Sequence, residues 1–375
     1  VGTAVETCDV AVVGAGPAGC AAALRVLQLR PGADVVLLDA AAFPRDKTCG
    51  DAVAPQAYAL LDALGVPGPP AADVPRLRFR SPGGRVADRT CPEPNHVVRR
   101  VDFDAALVRA AVARGARLHR HRVRRLDVGP DRVGLDGRWA ARVVIGADGA
   151  NSVVRRALRP PPTPSAATAV AVRGYTAATP DPGALTIEFA PGPVPGYAWS
   201  FPLADGGANV GFGVFDRDAA GSRRELLDAL RRLLPGQEPD PDSVRGHHLP
   251  LSTGPRWHPD GRVLLVGDAA ASVNPLTGEG IFDALASGIL AGRAALSGAD
   301  AGRTHRAAMR RSFARHHRHT AAMAALLARP RLLDAAVTAA ARHASVFDAA
   351  VELGQARGTV PPSALGRVLA TVLTG

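Results

Sequence analysis

Short unbroken apolar runs alternate with alanine-rich stretches of helical length at the start of this chain. Val10 to Val13 is such a run, long enough for a strand buried on both faces and too short for a helix. It breaks at Gly14 and Gly16, and an alanine-rich segment then predicts a buried helix to Arg30. A second run, Val35 to Leu38, predicts another buried strand and ends on Asp39. Pro55–Leu64 reads as a helix closed by Gly65, and Arg76–Arg80 and Arg85–Ala87 as strands around a Ser81-Pro82-Gly83-Gly84 turn. A helix follows from Asp102, placed to act as its N-cap, to Arg114. Ala116–Val128 and Arg132–Leu135 predict a small meander, and Val143–Ile145 another buried strand.

The pattern then changes. Arg159–Pro164 reads as a stiff linker. From Ala167 to Phe215 short alternating runs separated by Gly and Pro predict an antiparallel sheet, and Ser222–Leu234 an amphipathic helix. Val263–Val266 returns to the buried-strand pattern, with a helix to Leu296 behind it. Thr304–Thr374 predicts helices broken near Pro330 and Pro361-Pro362. The expected organisation is a discontinuous nucleotide-binding domain (1–75, 96–160 and 255–300), an inserted substrate domain with an antiparallel sheet (76–95 and 161–254), and a C-terminal helical region (301–375).

The first break in the pattern carries chemistry. Gly14, Gly16 and Gly19 stand at GxGxxG spacing between a strand and a helix, as dinucleotide binding requires. Gly14 allows the tight turn, Gly16 lets the backbone approach a pyrophosphate, and Gly19 lets the helix lie close to the strand. Pro17 and Ala18 open the helix, whose N-terminal N–H groups and dipole favour phosphate. Asp39, twenty residues beyond Gly19, can accept the hydroxyls of an adenosine ribose.

Composition narrows the picture. With 47% hydrophobic and 21% charged residues the chain is ordinary globular material. It contains no apolar run of about eighteen residues, so no membrane span is expected. Its N-terminus lacks a basic-then-apolar leader pattern, and Cys8, Cys20, Cys49 and Cys91 show no metal spacing. A cytoplasmic protein without structural metal is expected. The net charge is +11, yet of 45 basic residues only Lys47 is lysine, and the arginines are dispersed among few aromatics. That argues against nucleic acid as a partner. The run Arg315-His316-His317-Arg318-His319 reads as a solvated helix face, and His247, His248 and His258 as loop residues.

Further segments converge on a flavin. Gly146-Ala147-Asp148-Gly149 follows one buried strand, Gly267-Asp268-Ala269-Ala270 follows another, and Pro275-Leu276-Thr277-Gly278-Glu279-Gly280 opens a helix at Ile281. With Arg100-Val101-Asp102-Phe103-Asp104, these motifs resemble the FAD-dependent oxidoreductases of the glutathione-reductase-type Rossmann class. Phe43–Gly50, FPRDKTCG, resembles the corresponding loop of the geranylgeranyl reductase family. Tyr197–Pro202 resembles that family's Y-x-W-x-F-P strand. The related aromatic-hydroxylase-type monooxygenases share the FAD motifs.

The resemblance implies an α/β glutathione-reductase-type Rossmann FAD-binding fold with an inserted antiparallel β-sheet substrate domain and C-terminal helices. It implies that Asp268 binds the ribityl chain and that Pro275, Gly278, Glu279, Gly280 and Ile281 set backbone N–H groups near the flavin pyrimidine. Arg45, Cys49, Gly50, Arg100, Asp148 and Gly267 complete the implied cofactor site. Cys49 is open between a small buried residue, a redox thiol and a flavin-side contact. Tyr197, Trp199 and Phe201 fall on one strand face, either as core or as the wall of an apolar substrate chamber.

No second complete GxGxxG unit is present, so NADH or NADPH is expected to bind only transiently. The chain departs from the reductases' C-G-x-G at Ala52. On that departure and the compact length the expectation leans to an NAD(P)H-supported monooxygenase of a hydrophobic small molecule in secondary metabolism. The alternatives are a geranylgeranyl-reductase-like C=C reductase and a flavoprotein partner or maturation factor of another protein. A monomer or homodimer is expected.

Overall fold

The computed structural model describes residues 5–160, 162–192, 195–254 and 257–374; Pro161 of the expected linker lies outside them. The chain begins β1 (Glu6–Val13), α1 (Pro17–Leu29), β2 (Val35–Asp39), β3 (Ala52–Val53), α2 (Pro55–Ala63), β4 (Ala72–Arg80), β5 (Val86–Val97) and α3 (Arg100–Ala113). It continues β6 (Arg117–Arg120), β7 (Leu126–Val128), β8 (Val133–Leu135), β9 (Trp139–Gly146) and α4 (Val153–Ala157). Then come β10 (Thr168–Thr176), β11 (Ala184–Phe189), β12 (Gly196–Pro202), β13 (Ala208–Val214), α5 (Arg223–Leu233), β14 (Arg245–Pro250) and β15 (Val263–Leu265). Five helices close the chain: α6 (Ile281–Ala295), α7 (Ala301–Leu327), α8 (Pro330–Arg342), α9 (Ala344–Gln355) and α10 (Pro362–Thr374).

Two sheets result. The first runs β6-β2-β1-β9-β8-β7, with β15 also on β9. Its β6, β2, β1, β9 and β15 pair in parallel, while β7, β8 and β9 form an antiparallel meander. The first half of β9 serves the meander and the second half pairs with β15. The second sheet runs β14-β10-β13-β12-β11-β4-β5-β3 and is antiparallel except at β11–β4. This is the expected α/β architecture, and the glutathione-reductase-type layout follows from where the crossovers fall.

Val10–Val13 of β1, Val35–Leu38 of β2 and Val143–Ile145 of β9 are wholly apolar because both faces of the sheet are covered there. Helices α1 and α6 pack across one face, and their contact depends on small residues. A Cβ on Gly288 would come within 2.2 Å of the Ala18 carbonyl oxygen, so the helices touch backbone to backbone there. Around this seam Val12, Leu24, Leu37, Ile145 and Leu285 are fully buried, each larger side chain contributing ~1.5–3 kcal/mol.

The structure corrects several local expectations. Ala116–Val128 is two strands, and β6 joins the parallel sheet rather than the meander. Strand β5 runs on to Val97 despite Pro92 and Pro94. Its register against β4 shifts there, so neither proline needs to donate a ladder bond. Helix α3 starts at Arg100 with Arg99 as its N-cap, and Asp102 lies inside the first turn, where its charge suits the helix dipole. His247 and His248 lie in β14, not in loops. His316 and His317 are buried on the inner face of α7, only 2% and 6% exposed, because His317 packs toward Asp283 of α6 and His316 bonds the Gly358 carbonyl beyond α9. A further helix break falls between α8 and α9 at His343.

Candidate active site

A cleft of about 500 Å³, with Asp39, Arg45, Lys47, Arg100 and Asp268 in its walls, crosses the carboxyl ends of the parallel strands. At one end Asp39 accepts the Ala15 N–H at 2.8 Å and the Ala41 N–H at 2.8 Å, which holds the β1–α1 turn against β2. Gly14 makes that turn with φ +101°, and a Cβ on it would stand 2.3 Å from the Ala147 oxygen. Gly16 caps α1 without a side-chain acceptor, so the first-turn N–H groups stay available to the cleft. At the other end Gly278 and Gly280 bring the start of α6 to the cleft wall. An acidic end, a central helix N-terminus and a second helix N-terminus fit an extended dinucleotide.

The Arg45–Asp51 segment pins the two sheets together. Arg45 pairs with Asp104 at 3.1 Å, and Lys47 reaches Asp268 at 3.3 Å across the cleft. Asp46 accepts both its contacts from Arg173, itself 1% exposed, at 2.6 Å. Asn209 donates to the Cys49 carbonyl and to Asp51, both at 2.8 Å, and the Tyr175 hydroxyl donates to Asp51 at 2.8 Å. Asp51 is fully buried with φ +64°, a conformation aspartate tolerates better than most residues. Burial pushes its carboxyl up to about 6, against the opposing pull of Asn209 and Tyr175.

Beside the cleft lies an apolar chamber of about 180 Å³. Tyr197, Trp199 and Phe201 of β12 line one wall, with ring centroids 6.0 and 6.4 Å apart in succession. Trp199 donates to Asn209 at 2.9 Å, and the Tyr197 hydroxyl donates to the Thr277 carbonyl. Leu77, Phe79, Leu185 and Ile187 come from β4 and β11, and Val351 and Gln355 from α9. Helix α9 is fastened to the loop before α6 by Asn274 donating to the Leu353 carbonyl at 2.9 Å and Thr277 to that of Gly354 at 2.7 Å. Cleft and chamber share Cys49, Gly50, His247, Gly278 and Gly280 in their walls, so they meet there.

The charges around this junction are displaced from their ordinary values. Burial alone would raise the Asp268 carboxyl, but Lys47 and His247 outweigh it and hold it below the usual range. Burial lowers His247 to about 4, leaving it neutral at pH 7. It raises the Cys49 thiol. Glu279 is pushed up to about 8, first by burial and then by Asp283. Arg100 is buried and holds Asp104 with two bonds, 2.7 and 2.8 Å.

The structure brings most of the sequence-derived residues together. Gly14, Gly16, Pro17, Ala18, Asp39, Arg45, Cys49, Gly50, Arg100, Asp148, Gly267, Asp268, Gly278, Gly280 and Ile281 line the cleft. Gly19 instead packs on the Gly14 carbonyl, Pro275 lines neither cavity, and Glu279 faces the chamber. Asp148 commits both oxygens to the start of α4, accepting from Ser152, Val153 and Val154. Sequence reasoning missed Lys47, Asp51, Arg173, Asn209 and α9. Lys47 carried a signal as the sole lysine, and Asp51 by sitting inside C-G-x-G. Arg173, Asn209 and α9 carried none. Among the described residues no group of three or more His, Cys, Asp or Glu side chains is arranged to hold a metal ion. No helix there is long and apolar enough to cross a membrane.

Comparison with known proteins adds context. A family model described as FAD binding domain matches residues 7–287. A menaquinone reductase of Mycobacterium tuberculosis is 37% identical over 322 residues, covering 76% of each chain. Digeranylgeranylglycerophospholipid reductase 1 of Methanopyrus kandleri is 35% identical over 314 residues, covering 77% of this chain and 80% of that one. The crystal structure of a geranylgeranyl bacteriochlorophyll reductase-like protein from Thermoplasma acidophilum superposes with a TM-score of 0.80. At 21% identity it covers 98% of this chain and 96% of that one, a likeness of fold.

Proposed function

The chain belongs to the FAD-binding-domain family that includes menaquinone and geranylgeranyl reductases, and from that premise we propose that it reduces a carbon–carbon double bond of a polyprenyl substrate. The observation that carries this reading is the apolar chamber opening onto the nucleotide cleft at Cys49–Gly50 and Gly278–Gly280. A polyprenyl chain is the chemistry that menaquinones and digeranylgeranyl lipids have in common, and a chamber walled by Leu77, Phe79, Ile187 and Phe201 suits it.

In this reading the α1 N-terminus and Gly16 take the diphosphate, Asp39 the adenosine ribose, Asp268 the ribityl chain, and the N–H groups at Gly280 and Ile281 the flavin pyrimidine. When bound, the flavin supplies two electrons as a hydride. Asn209 and Asp51 keep the Cys49–Gly50 backbone at the junction. Tyr197, Trp199 and Phe201 exclude water and orient the double bond. NADH or NADPH would recharge the cofactor from a transient site.

The oxygen-inserting alternative arose from Ala52. That residue opens β3, and its methyl lies in the chamber wall, where it trims substrate space and carries no preference for oxygen. The test is anaerobic turnover of reduced holoprotein with a polyprenyl quinone and with a geranylgeranyl lipid. The expected product is two hydrogens heavier and takes no label from ¹⁸O₂ in a parallel aerobic run. Labelled product formed only in air would replace this reading with oxygenation.

A further inference from the structure

The buried histidines of α7 have no part in the reaction as described so far. They sit behind α6, on the side away from the chamber. His317 is 6% exposed, its ring stacked on Phe313 at 5.4 Å, and its Nε2 makes no hydrogen bond. That nitrogen lies 3.9 Å from Asp283 on α6. Asp283 is 2% exposed, and neither of its oxygens has a hydrogen-bond partner among the described residues. A carboxyl left without donors in the interior is costly unless it is placed for use.

Four residues earlier, just ahead of α6, stands Glu279, and the Asp283 charge acts on its carboxyl. Its Oε1 accepts the Phe282 N–H at 2.8 Å, and the residue lines the chamber. On the far side His317 lines a separate cavity of about 190 Å³, together with Ser252, His258, Arg306 and the exposed Arg310. Three titratable side chains thus cross α6 from a surface cavity to the apolar chamber.

We propose that His317, Asp283 and Glu279 form a proton line, with Glu279 as the acid that protonates the substrate. The proposal rests on the reductase reading. Saturating a double bond consumes one hydride and one proton. One C–H bond forms with the hydride of the reduced flavin, itself recharged by a reduced nicotinamide. The other forms as the Glu279 O–H bond breaks. The carboxylate left on Glu279 is reprotonated from His317 by way of the Asp283 carboxylate, and His317 takes its proton from solvent.

The other chamber groups suit the donor role less well. His247 is neutral at pH 7, and burial makes the Cys49 thiol and the Tyr197 phenol weaker acids still. The charged and titratable groups facing the line are Asp268 beside Glu279, with Lys47, Arg100 and the neutral His247 around that aspartate. His316 faces Asp283, His258 faces His317, and Arg357 lies over the Phe282 ring.

Infrared spectra of oxidised holoprotein without substrate test the acid directly. A protonated carboxyl band at neutral pH, lost in Glu279→Gln and shifted in Asp283→Asn, is expected. Single-turnover mixing of reduced enzyme with substrate tests the chemistry. Glu279→Gln should slow product formation by roughly 10²-fold or more and change its solvent deuterium effect. His317→Gln should leave the first turnover near wild type and slow the following ones about tenfold, the rate loss expected when reloading costs ~1.4 kcal/mol more, whereas Asp283→Asn, which also removes the charge that holds Glu279 protonated, should slow the first turnover as well. Imidazole should restore the later turnovers in His317→Gly. No lost carboxyl band in Glu279→Gln, or an unchanged first turnover there, overturns the proposal. A wild-type enzyme that reduces no polyprenyl substrate overturns the proposed reaction instead, and the infrared band still decides whether Glu279 holds the proton.

Discussion

The nucleotide cleft and the apolar chamber share a wall but are built by opposite means. The cleft is shaped by backbone. Gly14, Gly16, Gly278 and Gly280 supply its contours, and short sequence-local segments after β1, β9 and β15 supply most of its residues. The chamber is shaped by side chains drawn from β4, β11, β12 and α9, segments separated by more of the chain than any motif spans. A backbone-built site is intolerant of any added atom at a few positions and tolerant elsewhere. A side-chain-built site loses in proportion to the volume removed.

The largest effect should therefore come from one added side chain at the cleft. Gly14→Val sets carbon atoms on the Ala147 backbone and demands φ +101° of a β-branched residue. Purified variant should carry no FAD and lack a cooperative thermal transition; normal FAD content would show that the turn can be rebuilt. Next comes the chamber. Trp199→Ala removes a 6% exposed ring and strands the Asn209 side chain that orders Cys49 and Asp51, so ~3–5 kcal/mol of stability should be lost. Trp199→Phe, which keeps most of the volume, should lose far less in denaturant titration but still reduce turnover. If both variants lose equally, the volume argument is wrong for this wall.

Asp268→Ala should weaken FAD by one to two orders of magnitude, from a charged acceptor worth ~1.5–3 kcal/mol. It also leaves Lys47 unpaired in the cleft. An unchanged flavin titration would remove Asp268 from the cofactor site. A pH effect sharpens the junction itself. Asp51 titrates at about 6 in the folded protein, above its unfolded value, so the folded state holds the proton more tightly. Its contribution is complete below pH ~4 and is lost as pH rises through about 6. The stability difference between wild type and Asp51→Asn, followed by urea midpoints, should swing toward the variant across that window. The buried His247, His258 and His305 act in the opposite sense, so the difference rather than either curve is the measurement. The smallest effect belongs to Ala52→Gly, which removes one half-buried methyl: ~0.5–1 kcal/mol in stability, no change in FAD, and a modest shift in preference toward bulkier substrates. A switch of reaction type would revive the oxygenation reading.

The cleft was legible in the chain because its determinants are local. A strand, a glycine turn and a helix are contiguous, and the reason for each glycine is steric and immediate. The same holds for the fold class, since the buried-strand runs mark the parallel sheet wherever they occur. Three things waited for the tertiary structure. The chamber's fourth wall, α9, comes from a helix whose own sequence says only that it is amphipathic. Arg173 and Asn209 gain their roles by lying across from Asp46, Cys49 and Asp51, contacts 127 to 160 residues away in the chain. His316 and His317 carry the composition of a solvated face, and only the packing of α7 against α6 and the chain around Gly358 turns them inward. Periodicity reports which side of an element is apolar. It cannot report which polar residues the neighbouring elements will enclose, because that depends on desolvation by atoms far away in sequence.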